Sequence, residues 1–280
     1  MILVADSGST KTDWAILSNK PTCFTKTSGF NPMFHNTEFI AKHINKNKDL
    51  ASISKHITQI YYYGAGCSSS DRINIISSAL KVNFPHANLT ITHDIEGAAK
   101  ASCGKQAGIS CILGTGSNCV YFDGQKTFHY TKSLGYILGD EGSGAYLGKK
   151  IVADFINKKL PPVISNHLKK EYKLNIDGVF KAVYNSEHPM QYLANFSKAL
   201  SSFKEEEYTQ ELLYLSFNSF INTHVLAIPK AKQNPIHFVG SIALHFKKEL
   251  QNALKKNELS IGNIIQKPIE PLAHYHKNEI

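Results

Sequence analysis

Two stretches of this chain combine small and hydroxylated residues in a pattern that suits phosphate. The first is Asp6-Ser7-Gly8-Ser9-Thr10-Lys11-Thr12 and the second Gly114-Thr115-Gly116-Ser117-Asn118. Gly8 in a tight turn lets the backbone approach an oxyanion closely, while successive N–H groups and the hydroxyls of Ser7, Ser9 and Thr10 can donate to phosphoryl oxygens. Asp6 stands beside that turn, where a carboxylate repels phosphate unless a hydrated Mg2+ lies between them. An edge hairpin with a polar tip, whose aspartate caps its own turn, has the same composition. Recurrence of the pattern favours phosphate: a nucleotide held by two such turns would lie in a cleft between two related halves, gripped from both sides.

Both turns are expected to join strands. Residues 1–5 and 14–17 are apolar runs flanking the first, and 109–113 and 119–122 flank the second. A third strand at 22–27 closes an antiparallel meander, Gly29-Phe30-Asn31-Pro32 breaks it, and Asn36-Thr37-Glu38 caps a helix to about residue 44. The Lys- and Asn-rich residues 45–48 read as solvated. An aromatic strand at 57–63, the Gly64-Ala65-Gly66 turn, a helix from Ser69-Ser70-Asp71 to about 82 and a strand at 89–92 make a β-α-β unit. His93-Asp94 then opens a short helix ended by Gly104. Asp94 therefore stands where a strand enters a helix, a usual location for ligand-facing groups in an α/β sheet, although Asp is also a preferred N-cap.

Residues 133–144 are dense in glycine, a backbone that must bend sharply or approach a ligand closely. Helices follow at 145–159, at about 161–172 and in shorter pieces to 202. Glu205-Glu206-Glu207 opens another, which runs to about 228 and stops at Pro229. A strand at 235–239, the Gly240-Ser241 turn, a helix at 243–254, a strand near 259–265 and a helix at 269–276 complete the order. Strands in both halves with helices between them give an α/β architecture. The expected division is a domain over 1–106, on which the terminal helix 269–280 can pack back, and a second over 107–268 with a helical insertion.

Composition narrows the function classes. A chain of 280 residues, 42% hydrophobic and 19% charged, can bury one large core or two ordinary ones. No apolar run approaches the ~20 residues of a membrane span, and no basic segment precedes the first strand, so neither a membrane nor a signal peptide is expected and the cytoplasm is the default. The cysteines at 23, 67, 103, 111 and 119 show neither zinc-site spacing nor a disulfide framework and read as buried, reduced thiols. The net charge of +9 comes from scattered lysines without a basic stripe interleaved with aromatics, which argues against nucleic acid as a partner.

Asp6 to Thr12, Leu113 to Asn118, Gly139-Asp140-Glu141-Gly142-Ser143 and Val239-Gly240-Ser241-Ile242-Ala243, in this order, resemble the N-acetylglucosamine kinase branch of the BadF/BadG/BcrA/BcrD ATPase family. That family belongs to the actin and hexokinase superfamily. The resemblance spans the chain apart from residues 150–230, which match no motif. It implies two ribonuclease-H-like domains with an interdomain nucleotide and sugar cleft, and it implies ATP and Mg2+ as cofactors. Gly8, Ser9, Thr10 and Lys11 would form the first phosphate element, Gly114, Thr115 and Gly116 the second, and Gly240 and Ser241 the adenosine-side turn, with Asp6 on the metal. Asp94 resembles the family's catalytic aspartate, which accepts the proton of the attacking hydroxyl.

Asn31, Asp94, Ser117, Asn118, Gly135, Tyr136 and Asp140 match positions that hold the hexosamine. Their types suit a sugar, since Asn both donates and accepts and Asp can accept from two hydroxyls at once. A turn former before Pro32 and a capping carboxylate among glycines remain alternatives for Asn31 and Asp140. The implied activity is ATP-dependent phosphorylation of an amino sugar, N-acetylglucosamine ahead of glucosamine and N-acetylmuramic acid, with the 6-hydroxyl chosen by analogy. Other branches of the family are activating ATPases that bridge an iron–sulfur cluster and need suitably placed cysteines. A sugar- or nucleotide-binding regulator without turnover is a third reading. The expected partner is a small amino sugar, and a homodimer is left open.

Overall fold

A computed structural model of the chain describes residues 1–8 and 10–277. It divides into two compact units, one of Met1–Lys105 together with the C-terminal segment from Lys267, the other of Gln106–Gln266.

The first unit runs β1 (Ile2–Ser7), β2 (Lys11–Leu17), β3 (Cys23–Ser28), α1 (Thr37–Asn45), α2 (Lys48–Ile53), β4 (Gln59–Gly64), α3 (Ser70–Asn83), β5 (Asn88–His93) and α4 (Asp94–Cys103). Its sheet has the order β3-β2-β1-β4-β5. Short turns make β1, β2 and β3 an antiparallel meander, whereas β4 and β5 return through helical crossovers and lie parallel to β1. Successive side chains of β1 face opposite sides of the sheet. Leu3 and Ala5 pack with Trp14, Ile40, Ile76 and Leu80, and Ile2 and Val4 pack with Leu17 and with Ile269, Leu272 and Ala273 of the C-terminal helix Ile269–Lys277. Both faces of β1 are covered, which is why its sequence is a continuous apolar run rather than an alternating one.

The second unit runs β6 (Gly108–Leu113), β7 (Ser117–Phe122), β8 (Thr127–Phe128), α5 (Gly135–Leu138), α6 (Gly144–Ile156), α7 (Pro162–Glu171), α8 (Ile176–Tyr184), α9 (Pro189–Phe196) and α10 (Glu207–Phe220). A single π turn over Ile221–Val225 extends α10, and β9 (Ile236–Val239), α11 (Ser241–His245), α12 (Lys247–Lys256) and β10 (Ile261–Ile265) follow. The sheet order is β10-β9-β6-β7-β8, with β7 antiparallel to β6 and to β8, and β9 parallel to β6 and to β10. Replacing β6 by β1 reproduces the first sheet strand for strand. The two Ser/Thr/Gly turns therefore occupy the same place in the same topology, at β1–β2 and at β6–β7.

Several elements depart from the sequence expectation. Asn45, Lys46 and Lys48 are exposed, as expected, but the segment also caps a helix that was not expected, α2, where Asn47 accepts from Leu50 N at 3.0 Å and its Nδ2 donates to Thr25 Oγ1 and Lys26 O, both at 2.9 Å. The helix expected at 243–254 is two, α11 and α12, meeting at the buried Phe246. Cys23 is exposed on the edge strand β3, while Cys67, Cys103, Cys111 and Cys119 are buried thiols. Among the described residues no helix is long and apolar enough to cross a membrane.

Candidate active site

The ends of three parallel strands meet in the first unit. Ser7 of β1 lies opposite Gly64 of β4, and Gly64 opposite His93 of β5, so Asp6, the 64–67 turn and Asp94 come to one edge of the sheet. This is the carboxyl edge at which open α/β sheets bind ligands. Ser7 Oγ shares a 2.7 Å hydrogen bond with Thr12 Oγ1 and lies 3.3 Å from Phe30 O, which ties the end of β1 to the segment before Asn31. Asn31 is buried, and its Oδ1 accepts from Met33 N at 2.9 Å, so its turn-forming role is real and Nδ2 is the amide's uncommitted end. Gly66, at φ +79°, packs so closely that a Cβ there would come within 2.4 Å of Asn31 Oδ1. Phe30 is fully buried in the core.

Asp94 is the first residue of α4 and His93 its N-cap, with Asp94 Oδ1 2.5 Å from His93 Nδ1. Asp6 is part-exposed at its surface yet densely surrounded. Burial, followed by the charges of Asp94 and Asp13, pushes its carboxyl up to about 7 against the opposing Lys11. Burial and then the Asp94 charge likewise push the Cys67 thiol up to about 12. For His93 burial acts downward, but the hydrogen bond and charge of Asp94 and the charge of Glu96 outweigh it and raise the ring. Asp6 and Asp94 thus repel each other across the strand ends, a setting in which a bound cation is stabilised. Among the described residues no group of three His, Cys, Asp or Glu side chains has the arrangement of a metal cage. A lone carboxylate at a strand end is compatible with Mg2+, which takes one or two carboxylates with water and phosphate completing its shell, and Asp6 stands at that edge.

The first hairpin turn spends part of its donor set internally. Gly8 N donates to Lys11 O at 3.0 Å, and Thr10 O accepts from Gly29 N at 3.0 Å. Thr10 is exposed, and Lys11 Nζ lies 2.5 Å from the buried carboxylate of Asp13. Ser9 lies outside the described residues.

The second unit holds its turn from three directions. Gly114 N donates to Gly116 O at 3.0 Å, while Gly114 O and Thr115 O accept from Gly144 N at 2.8 Å and Ala145 N at 3.0 Å, the first amides of α6. Those donors would otherwise be orphaned at a helix start. Gly240, at φ +124°, abuts the turn, since a Cβ there would lie 2.4 Å from Leu113 O; Ser241 beside it is exposed. The third support is Asp140, buried at φ 57°, whose Oδ1 accepts from Ser117 N at 3.3 Å and whose carboxylate lies over Gly116. Burial and Glu141 raise the Asp140 carboxyl, and the Ser117 hydrogen bond, His224 and Lys149 oppose them. Ser117 Oγ is buried without a hydrogen-bond partner among the described residues, the kind of group that a ligand satisfies. Asn118 Oδ1 accepts from Cys119 N at 2.9 Å. Gly135 has φ +72°, and Tyr136 packs on the core while its carbonyl accepts from Lys149 Nζ at 2.9 Å.

The sequence-predicted residues therefore form two sets. Asp6, Gly8, Thr10, Lys11, Asn31 and Asp94 belong to the first unit, and Gly114, Thr115, Gly116, Ser117, Asn118, Gly135, Tyr136, Asp140, Gly240 and Ser241 to the second. Gly66, Lys149 and His224, which the structure brings against these residues, were not singled out in the sequence. Gly66 had a signal in the Gly64-Ala65-Gly66 turn after an aromatic strand; His224 had none.

No family model matches the chain. Among solved structures, it is similar to the putative N-acetylglucosamine kinase of Porphyromonas gingivalis, at 36% identity and a TM-score of 0.92 over 99% of each chain. A putative N-acetylglucosamine kinase of Chromobacterium violaceum superposes with a TM-score of 0.64 at 14% identity over 98% of each chain. A ROK family glucokinase of Streptomyces griseus, in complex with glucose and AMPPNP, superposes with a TM-score of 0.58 at 12% identity over 99% of this chain and 98% of that one. The last two share the fold, a pair of five-stranded mixed sheets characteristic of the hexokinase-like sugar kinases.

Proposed function

The chain belongs to the family of the Porphyromonas gingivalis protein, and from that premise we propose that it transfers the γ-phosphoryl group of ATP to a hydroxyl of an amino sugar. N-acetylglucosamine is the leading substrate and the 6-hydroxyl the acceptor, as in the N-acetylglucosamine kinase branch of the BadF/BadG/BcrA/BcrD ATPases. The observation that carries this reading is Asp94, a carboxylate at the carboxyl edge of a parallel sheet, sharing its neighbourhood with a second buried-edge carboxylate, Asp6.

Phosphoryl transfer asks a protein mainly for positioning and electrostatic stabilisation. Asp94 accepts the proton of the attacking hydroxyl, with His93 beside it. The Asn31 amide donates to the sugar from Nδ2, and Ser117, Asn118, Asp140 and the Gly135–Tyr136 backbone supply further polar contacts. Thr10 with its loop and Thr115 with Gly114 and Gly116 take the phosphates, and Gly240-Ser241 takes the adenosine side. Mg2+, held by Asp6, would neutralise charge on the phosphates when bound. An activating ATPase needs cysteines presented to a bridging cluster, and four of the five thiols are buried instead.

The deciding experiment is a coupled ADP-release assay with N-acetylglucosamine, glucosamine, N-acetylmuramic acid and plain hexoses. Turnover that depends on an amino sugar is expected. ADP release that ignores added sugar, or none with any amino sugar, would sink the reading.

A further inference from the structure

We propose that His224 is a positioning residue that ties together the two ends of the loop 132–140, which carries Gly135, Tyr136 and Asp140. The inference rests on the reading of those three residues as sugar contacts. His224 is buried, and its ring bridges two segments that are far apart in sequence from it. Nδ1 lies 2.7 Å from Thr131 Oγ1, just before the loop, and Nε2 lies 3.2 Å from Glu141 Oε2, just after it. A carboxylate only accepts, so Nε2 donates to Glu141, and Nδ1 shares its hydrogen bond with the Thr131 hydroxyl, which can either donate or accept. Each end of the loop is thereby bonded to one rigid ring.

The backbone that presents His224 is unusual. After Phe220 the helix widens into the π turn, with Leu226 N donating to Ile221 O at 2.9 Å, and His224 lies within that turn. Such single turns are rare and recur at functional sites. Phe220 packs against His224 in a tilted pair with centroids 5.3 Å apart and also packs on Gly142, where a Cβ would come within 3.1 Å of it. Glu141 and Gly142 thus both seat on the end of α10.

The loop needs such a tie because it buries little of itself. Leu134, Ile137 and Leu138 are 59%, 69% and 74% exposed; the loop's middle is tethered by Lys149 Nζ, 2.9 Å from Tyr136 O and 3.3 Å from Ile137 O, and its end by Ser117 N and Ser143 N on Asp140. Segments with few buried contacts open locally at little cost. With its ends fixed, the loop presents Asp140 in the left-handed conformation at φ 57° that keeps its carboxylate on Ser117 N. Freed ends would let Asp140 relax out of that conformation.

The test uses Thr131→Val, which removes one hydroxyl at constant shape, His224→Ala, and His224→Gln, whose amide can donate to Glu141 and accept from Thr131. Hydrogen exchange of the ligand-free protein should show the amides of 132–140 exchanging roughly tenfold faster in the first two, with those of β6 and β7 unchanged and His224→Gln partly restored. Unchanged loop exchange in Thr131→Val and His224→Ala overturns the tie; should His224→Ala lose protection throughout, Thr131→Val decides. Steady-state kinetics with N-acetylglucosamine should show the sugar KM raised roughly tenfold in Thr131→Val, with kcat and the ATP KM near wild type. A loosened loop with an unchanged sugar KM overturns the positioning role. Wild-type protein that turns over no amino sugar defeats the functional reading instead, and the exchange result still decides the tie.

Discussion

Asp94 Oδ1 lies 2.5 Å from Nδ1 of His93, across the junction where β5 becomes α4. The carboxylate is turned toward the residue before it, and the N-cap position belongs to His93, which makes no side-chain capping bond. Asp94 is therefore not the capping residue of its helix, the alternative that its position in the sequence left open. A carboxylate at this carboxyl edge is suited to accept a proton from a hydroxyl. Asp94→Asn keeps the shape and loses the acceptor, so kcat should fall at least about a hundredfold while ATP binding by calorimetry is retained. Near-wild-type turnover would return Asp94 to a structural role.

Asp6 makes the free protein's stability depend on pH. Its carboxyl titrates at about 7 in the fold against an ordinary 3.8. Between those values the folded chain holds a proton that the unfolded chain has released, so stability falls as pH rises through that window and is flat above it. The shift caps the loss at about 4 kcal/mol, and water reaching the carboxylate reduces it to roughly 1–2 kcal/mol. Urea unfolding without metal or nucleotide at about pH 4.5, near the lower end of the window, and at about pH 8, above it, should show this decline in wild type and its loss in Asp6→Asn. Equal decline in both proteins would contradict the burial of Asp6. In the same vein, Asp6→Ala should weaken nucleotide binding in the presence of Mg2+ and leave it unchanged in EDTA, and calorimetry showing equal MgATP affinity would remove Asp6 from the site.

Gly66 is required by Asn31. A Cβ at this position meets Asn31 Oδ1 at 2.4 Å on a backbone already at φ +79°. Gly66→Ala should cost about 1–3 kcal/mol by denaturant unfolding and raise the sugar KM by displacing the amide, with the ATP KM little changed. A sugar KM equal to wild type would mean that Asn31 does not touch the substrate.

Gly240 braces the second turn. Alanine there would place its Cβ 2.4 Å from Leu113 O and 3.2 Å from Gly114 N, at a φ of +124°. The neighbouring atoms are backbone of β6 and of the turn after it and cannot step aside as a side chain can. Gly240→Ala should therefore destabilise the protein by about 3 kcal/mol or more and weaken ATP binding. Unaltered thermal unfolding would contradict this packing.

The elements that hold the site were legible where their causes are local. Apolar runs flanking Ser7-Gly8 and Gly114-Thr115 announce hairpins, because strand burial and turn chemistry both act within a few residues. The helix starting at Asn36 and the strand-to-helix junction at Asp94 are local in the same sense, and the structure has both. The second hairpin, read only as a recurrence, proves to stand at the same place in an identical sheet order.

What remained hidden depends on residues distant in the chain. Asn47, which caps α2 locally, is also tied back to Thr25 and Lys26, and Cys23 is exposed because β3 is an edge strand, a property of the assembled sheet. Gly66 owes its necessity to Asn31, and Gly240 to Leu113. His224 meets Thr131 across 93 residues and Glu141 across 83, from a π turn that no periodicity announces. By itself the sequence determined which residue types stand at strand ends and in turns, since propensity, capping and burial patterning are short-range. Tertiary structure alone decided which of these carboxylates, amides and imidazoles touch, because close packing couples them through space and leaves no periodic trace along the chain.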